Sequence, residues 1–350
     1  MIQIVKQPKE GAFFLSENQL EVELKSNLGS GYYFKVFITV NNKLFDIQGW
    51  SKYNDTDCKI DLKGMFSHLF LNKFPKLTGD TFTECDHLKK EVFIVIKEYK
   101  REDDVLVNSV DLNSFFILKS ETLIFFDDRI NLQKMSILPR VLRLSKTKVV
   151  RLPIWINSGS IVMKVVTGTN EIRNKVIHNL AKNIHEITID LTNDIIINNE
   201  VNVFIEDVNG NSFSQQFNLN AEHLYNSTLV LFRNNFGAYE SIELFGSLKE
   251  SNSYKRKTYS LTNNKLFLAK TNVDEILKIN TGFMLPSELS ILKAINESIE
   301  LYVYHKNEFY PAVPVSKKSK GINYEKDYQD DYVELKLNGE LLKDTSFKYD

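Results

Sequence analysis

The sequence predicts an all-β protein of tandem β-sandwich units with one short helix in its C-terminal part. Three observations lead there. Period-two alternation of apolar and polar residues runs through most of the chain, and helical periodicity is scarce. Asn-Gly, Asn-Asn and other small polar clusters interrupt the alternating runs as turns. Turn clusters also divide the 350 residues into three segments of roughly 100–130 residues, the size of single β-sandwiches.

Leu20, Val22 and Leu24 alternate with Glu21, Glu23 and Lys25. Tyr33, Lys35, Phe37 and Thr39 interleave with Phe34, Val36, Ile38 and Val40, and Asn41-Asn42 ends that run as a turn. Residues Leu62–Phe70 are expected to make one or two helical turns. Glu91–Glu98 (EVFIVIKE) is rich in β-branched residues and reads as a buried strand. Residues 174–184 carry both periodicities and are read as strand and loop, because their neighbours on both sides are strand-like. Val201–Asp207 and Ser212–Leu219 flank Asn209-Gly210, a pair that tolerates the positive φ angles of a tight type I′ hairpin turn. Leu285–Asn296 is expected to be helical near 286–296, with Leu289, Leu292 and Ile295 on one face. Pro286 stands near its first position and Glu288 in its first turn. Asn338-Gly339 marks a second hairpin, between Val333–Leu337 and Leu341-Leu342. Cuts near Ser120–Asp128 and Asn218–Asn226 give an N-terminal sandwich at 1–122, a middle sandwich at 123–222 and a C-terminal β domain with the helix at 223–350. Asp-Leu recurs after three strand-like stretches, at Asp61-Leu62, Asp111-Leu112 and Asp190-Leu191.

Composition narrows the function. Lys and Arg number 44 against 45 Asp and Glu, a net charge of −1. That balance gives no support to a general nucleic-acid binder or to binding at an anionic membrane. It does little to hold copies of the chain apart, which suits a protein that assembles. Cys58 and Cys85 are too few for a disulfide framework and are expected to be reduced and packed. No apolar stretch approaches the ~20 residues of a membrane-spanning helix. The first residues lack a secretory pattern, so folding in cytoplasm is expected.

The chemistry on offer is thin. The six histidines form no HExxH helix. Cys58, His68, Cys85 and His87 match no zinc-knuckle spacing, so the Cys85-Asp86-His87 cluster reads as surface loop. Asp207-Val208-Asn209-Gly210-Asn211 begins like a calcium loop, but Ser212 replaces the required glycine and Asn218 the terminal glutamate, so it reads as a turn. Asp103-Asp104, Asp127-Asp128 and Asp330-Asp331 read as solvated loops or strand ends. Ser158-Gly159-Ser160 is not a nucleophile elbow, and no phosphate-cradling glycine loop is present. Lys255-Arg256-Lys257 and Lys317-Lys318-Ser319-Lys320 are expected in exposed loops. The 24 Phe and 15 Tyr, with Trp50 and Trp155, are assigned to core and inter-sheet packing and not to a sugar-binding platform. No enzymatic activity, catalytic residue, cofactor or metal is expected.

One stretch is distinctive. Residues 229–240 read LVLFRNNFGAYE and lead into Ile242–Gly246. An apolar strand followed by Arg-Asn-x-Phe-Gly-x-Tyr-Glu, and then by a strand ending in Gly, resembles structural (tail or baseplate-type virion) proteins of tailed phages and prophages of Bacteroidota. The resemblance continues through Leu277–Gly282, the helix starting at Pro286, Glu300–Tyr304 and Tyr310–Val315. In the N-terminal part it takes in Tyr32–Val40 and Ile60-Asp61-Leu62. It covers roughly half the chain and leaves out the middle third.

The resemblance implies immunoglobulin- or fibronectin-like sandwiches and a virion component of a tail, baseplate or neck, assembled in host cytoplasm. Such a component acts by oligomerisation, with other copies of itself, neighbouring virion proteins and a host-surface glycan or receptor as the partners to consider. Arg233, Asn234, Gly237, Tyr239 and Glu240 are the candidates for a structural turn or interface. Gly237 can take a backbone angle closed to other residues, Asn234-Asn235 favours a turn, and Arg233 is expected to pair with Glu240 across it. The alternative is a cell-surface adhesion or glycan-binding β-sandwich protein.

Overall fold

The computed structural model describes residues 1–52, 55–70, 79–121, 124–143, 149–157, 159–218, 227–260, 266–282, 284, 288–306, 308–315 and 330–337. The chain is all-β, a series of antiparallel-rich sheets with one short α-helix among the described residues. None of its described helices is long and apolar enough to cross a membrane.

The first segment supplies β1 (Ile2–Lys6), β2 (Phe13–Leu15), β3 (Glu21–Ser26), β4 (Tyr32–Val40), β5 (Lys43–Ser51), β6 (Asp57–Asp61), β7 (Thr81–Glu84), β8 (Lys89–Lys100), β9 (Leu106–Asp111) and β10 (Phe115–Leu118). Strands β1-β3-β6 form one sheet and β2-β10-β8-β4-β5 the other, with β9 also on β8. Alternation decides which side chains meet between them. Val22, Leu24 and Ile60 face Phe34, Val36, Ile38, Ile94 and Ile96 in one dry core. Asn41 and Asn42 take φ of 47° and 63° and make the tight turn between β4 and β5. Leu62–Phe70 holds a single helical turn, a 3₁₀ turn at Ser67–Leu69. β7 leaves this segment and pairs with a strand of the middle sandwich.

The middle segment contributes β11 (Leu132–Lys134), β12 (Val141–Arg143), β13 (Val149–Ile156), β14 (Gly159–Thr167), β15 (Asn170–Leu180), β16 (Asn183–Asp190), β17 (Glu200–Asp207) and β18 (Ser212–Asn218). Its sheets run β11-β13-β16-β7 and β12-β18-β17-β14-β15. Residues 174–184 fall on β15 and β16. β13 is buried on both faces. Leu152 and Ile154 enter the sandwich core, and Trp155 packs against the first segment. The β17–β18 turn differs from the type I′ geometry expected. Gly210 alone has positive φ there, 82°, and the Asp207 carboxylate closes a wider loop by accepting from the N–H groups of Asn209 and Asn211.

The third segment is one seven-stranded sheet, β20-β19-β23-β24-β25-β22-β21. Its strands are β19 (Thr228–Arg233), β20 (Tyr239–Leu244), β21 (Leu248–Ser260), β22 (Leu266–Asn280), β23 (Leu301–His305), β24 (Glu308–Pro314) and β25 (Tyr332–Leu337). Helix α1 (Leu289–Glu297) lies on it. The expected face is buried, with Leu289, Leu292 and Ile295 joined by Ile291 in contact with Val230, Phe232, Leu277 and Val333. That cluster is continuous with the interior of the middle sandwich. Asn338-Gly339 and Lys317–Lys320 lie outside the described residues.

The Asp-Leu recurrence has a physical reason. Leu62, Leu112 and Leu191 are all buried. Asp61 and Asp190 each accept a bond from the N–H two residues on, at 3.0 Å, which ends the strand as the leucine turns inward.

Inside the first sandwich a buried ion pair joins the end of β8 to residue 52. Lys52 Nζ stands 2.5 Å from Glu98 Oε1, with both side chains at 1% exposure or less. Ser26 Oγ donates to Oε1 at 2.6 Å and Asn108 Nδ2 to Oε2 at 2.7 Å. Burial pushes the Glu98 carboxyl up, but these donors outweigh it and hold the group below its ordinary value of 4.5. Its stabilisation is therefore complete above that value and is lost as pH falls through the lower folded value. Glu98→Gln, which strands the ammonium, is expected to cost about 3–5 kcal/mol in denaturant unfolding at pH 7. The penalty should shrink on acidification below pH 4.

Candidate functional site

β19 and β20 pair in a register that sets Phe232 opposite Glu240 and Arg233 opposite Tyr239. The turn between them is organised by Asn234, whose side chain is fully buried. Its Oδ1 accepts from the N–H groups of Phe236 at 2.9 Å and Ala238 at 3.1 Å. Gly237 sits at φ +78° and donates its N–H to the Asn234 carbonyl at 2.9 Å. Glycine takes that backbone angle without cost. The turn then reaches two other segments. Asn234 Nδ2 donates to the Met135 carbonyl at 2.8 Å, and the Asn235 carbonyl accepts from the Glu121 N–H at 2.9 Å.

Around the turn lies a cluster of charged groups shut away from water. Arg233 is 2% exposed; its Nε donates to the Gly237 carbonyl at 3.1 Å, and Nη1 lies 3.3 Å from Glu300 Oε2. Its guanidinium stands 5.9 Å from the centre of the Tyr239 ring. Lys119 is 3% exposed and pairs with Glu121 at 3.3 Å. Burial, then the nearby Arg233 charge, pushes the Lys119 ammonium below its ordinary value. A Cβ added at Gly237 would stand 2.9 Å from the Lys119 stem. Glu240 is fully buried and accepts from the Ile137 N–H at 3.3 Å. Burial pushes its carboxyl up to about 7, against bonds from Ser136, Ile137 and Asn234.

Apolar packing completes the junction. Phe13, Leu15 and Leu118 from the first segment, Met135, Trp155 and Ile184 from the middle one, and Phe236 and Ala238 from the turn form one cluster. Trp155 is fully buried; its Nε1 donates to the Ile130 carbonyl at 3.2 Å and its ring meets Phe13 edge-on at 5.1 Å.

Arg233, Asn234, Gly237 and Glu240 lie at or beside this junction, whereas Tyr239 packs with Leu231, Tyr302 and Phe309 within the third segment. One expected pairing does not form. In an antiparallel pair, residues directly opposite share a face. Arg233 therefore shares a face with Tyr239, whereas Glu240 points to the other side. Arg233 meets Glu300, and Glu240 meets the chain at Ile137.

A second feature was missed by sequence reasoning. β25 pairs with β22 only at Ile276–Asn280, so beyond that root β21 and β22 are paired with one another alone among the described residues. Residues 253–260 and 266–273 thus form a two-stranded ribbon about 25 Å long at ~3.3 Å per residue. Lys255-Arg256-Lys257, expected in a loop, sit inside β21. They were misread because a charged run on a strand without a buried face has the composition of a loop. Residues 253–273 carry Lys255, Arg256, Lys257, Lys265 and Lys270 and no acid. Tyr254 and Val273 stand opposite each other, and both are 55% exposed.

Several charges elsewhere are paired among the described residues. A surface groove of about 510 Å³ is lined by Lys6, Pro8, Phe13 and Glu21 of the first segment and Asp128 and Lys182 of the middle one, among others. Lys6 pairs with Glu21 and Lys182 with Asp128 there. Asp104 bonds Lys35, and Asp127 bonds Arg129. Side chains of metal-ligating type converge at Glu250, Glu275 and His305, at the ribbon's root. The sequence expectation of no metal ligand did not anticipate that cluster.

No family model and no curated protein matches the chain. Among solved structures, it is similar to dimeric latent PorU from Porphyromonas gingivalis at 8% identity and a TM-score of 0.23, over 89% of this chain and 33% of that one. It is also similar to a tetra-tandem repeat in the extending region of a large adhesion protein, at 9% identity and a TM-score of 0.24, over 96% of this chain and 73% of that one. A third, a protein of unknown function from Porphyromonas gingivalis W83, has 9% identity and a TM-score of 0.18, over 62% of this chain and 99% of that one. The chain spans about a third of the length of PorU. No residue role is carried over from these structures.

Gly237→Ala is expected to lower unfolding stability by about 1–2 kcal/mol from the backbone angle alone, with more from the contact with Lys119. Denaturant titration checks it. Glu240 supplies a pH dependence of opposite sign to Glu98. Its folded value lies above the ordinary 4.5, so stability is full below that value and falls as pH rises through about 7. Glu240→Gln should therefore gain on the parent protein between pH 5 and pH 8, by on the order of 3 kcal/mol.

Proposed function

We propose that this protein is a non-enzymatic structural component of a phage particle or phage-tail-like assembly, and that it works by docking neighbouring subunits. The β21–β22 ribbon carries this reading. A two-stranded ribbon is marginal in water unless it finds a surface to pack on, and the outer edge of β21, unpaired among the described residues, offers backbone groups to a partner strand. Lys255, Arg256 and Lys257 with an exposed Tyr254–Val273 pair on one arm fit an acidic, partly apolar face of a neighbouring copy or of another virion protein.

The rest of the molecule suits that role. The buried junction fixes the three segments against one another, so the arm projects from a body with a set orientation. A net charge of −1 leaves little long-range repulsion between copies. Assembly in host cytoplasm and residence in the virion follow from this reading.

The test replaces residues 253–273 with a two-residue turn, leaving the root of β21 and β22 in place. The parent protein is expected to form closed rings or tubes, alone or with a neighbouring tail protein, by light scattering and negative-stain microscopy. The shortened protein should keep its melting temperature within about 4 °C and stay monomeric. A parent protein that remains monomeric with every candidate partner yet binds a glycan array would replace this reading with adhesion. Tight binding of duplex DNA by the ribbon would replace it with a nucleic-acid role.

A further inference from the structure

We propose that Glu250, Glu275 and His305 form a binding site for one zinc ion at the root of the ribbon. Glu250 comes from β21, Glu275 from β22 and His305 from the end of β23. The register puts Asn252 opposite Glu275, so Glu250 is the diagonal neighbour of Glu275 on the same face. The β23–β24 turn meets that face, and one ligand atom from each of the three side chains lies within 4.8 Å of the others.

His305 makes this more than a cluster of surface acids. Its side chain is 8% exposed, and Nε2 is aimed at the carboxylates, 3.1 Å from Glu250 Oε1, without forming a hydrogen bond. A buried ring nitrogen facing two carboxylates without a hydrogen bond is arranged as a metal ligand is. The Tyr310 ring packs beside the imidazole, 6.2 Å between centres. A tetrahedral zinc ion needs its ligand atoms about 3.3 Å apart. The Glu250 and Glu275 side chains are 46% and 37% exposed and have room to close that distance.

Lys306 offsets one of the two carboxylate charges. Its Nζ lies 3.3 Å from Glu250 and 3.0 Å from Glu275, on a side chain that is 54% exposed. An exposed ammonium can swing into water at little cost, whereas a divalent ion coordinated directly by both carboxylates and the imidazole gains more than the ammonium gives up. One nitrogen among three protein ligands favours zinc over calcium or magnesium, which take oxygen donors. A water would fill the fourth position. The bound ion would tie both strands of the ribbon to the β23–β24 turn. The site stands on this geometry alone and does not depend on the assembly reading.

The experiment uses the full chain, stripped with chelator and titrated with zinc chloride by calorimetry, with cobalt(II) absorbance reporting tetrahedral geometry. One zinc per chain is expected. His305→Gln, and Glu250→Gln with Glu275→Gln, should each weaken binding at least about 100-fold, while His178→Gln at the exposed histidine of β15 leaves it unchanged. Lys306→Met removes the competing ammonium and should tighten zinc by about tenfold or more. That gain cannot be mimicked by misfolding. Absence of a stoichiometric zinc, undiminished binding in a folded His305→Gln protein, or unchanged affinity in Lys306→Met would each overturn the site.

Discussion

Burying a polar side chain is tolerable when its partners are held in place, and Asn234 draws its partners from two segments at once. Its Oδ1 closes its own turn, and its Nδ2 is spent on the Met135 carbonyl of the middle segment. The next residue's carbonyl receives the Glu121 N–H from the end of the first. If either neighbouring segment shifted by an ångström or two, a buried donor or acceptor would lose its bond, at about 1–3 kcal/mol each. Apolar contacts at the same place, among Phe13, Trp155 and Phe236, would tolerate such a shift far better. The hydrophobic cluster makes the junction stable, and the amide makes it specific.

The charges around the turn follow the same division. Lys119, Arg233 and Glu240 are buried at a desolvation cost that apolar residues would avoid. Lys119 is paired by Glu121 in its own stretch and Arg233 by Glu300 within the third segment, whereas Glu240 depends on the Ile137 N–H of the middle segment. Misdocked arrangements would leave one of them buried alone. The ribbon is the opposite case. There Lys255 pairs with Asp274 near the root, and Tyr254 and Val273 stand exposed to solvent.

Much of the fold was legible because alternation and turn chemistry are local signals. The tight turn at Asn41-Asn42 and the buried face of α1 were read from a few adjacent residues. Asn234 and Gly237 were recognisable as turn residues for the same reason, since their conformational preferences travel with the residue. What failed needed pairing information. The partner of Arg233 depends on which residue stands directly opposite it, and a shift of one place moves a side chain to the other face. The departure of β7 to the middle sandwich, and the meeting of Glu250, Glu275 and His305, depend on contacts between strands far apart in sequence. The basic run of β21 defeated composition-based reading because no buried face imposes alternation on a ribbon.

One short strand connects the two polar clusters. Glu300, immediately before β23, holds Arg233 at the junction, and His305, the last residue of β23, faces Glu250 at the ribbon's root. Five residues of extended chain span about 17 Å. Val303, at its centre, is fully buried in the core shared with α1 and the middle sandwich. A strand held at one end by the Arg233–Glu300 pair and at its middle by packing cannot slide without breaking both. The direction in which the ribbon leaves the body is therefore set by the same contacts that orient the three segments. Losing the Arg233–Glu300 pair would loosen the arm's aim, although the arm itself touches neither residue.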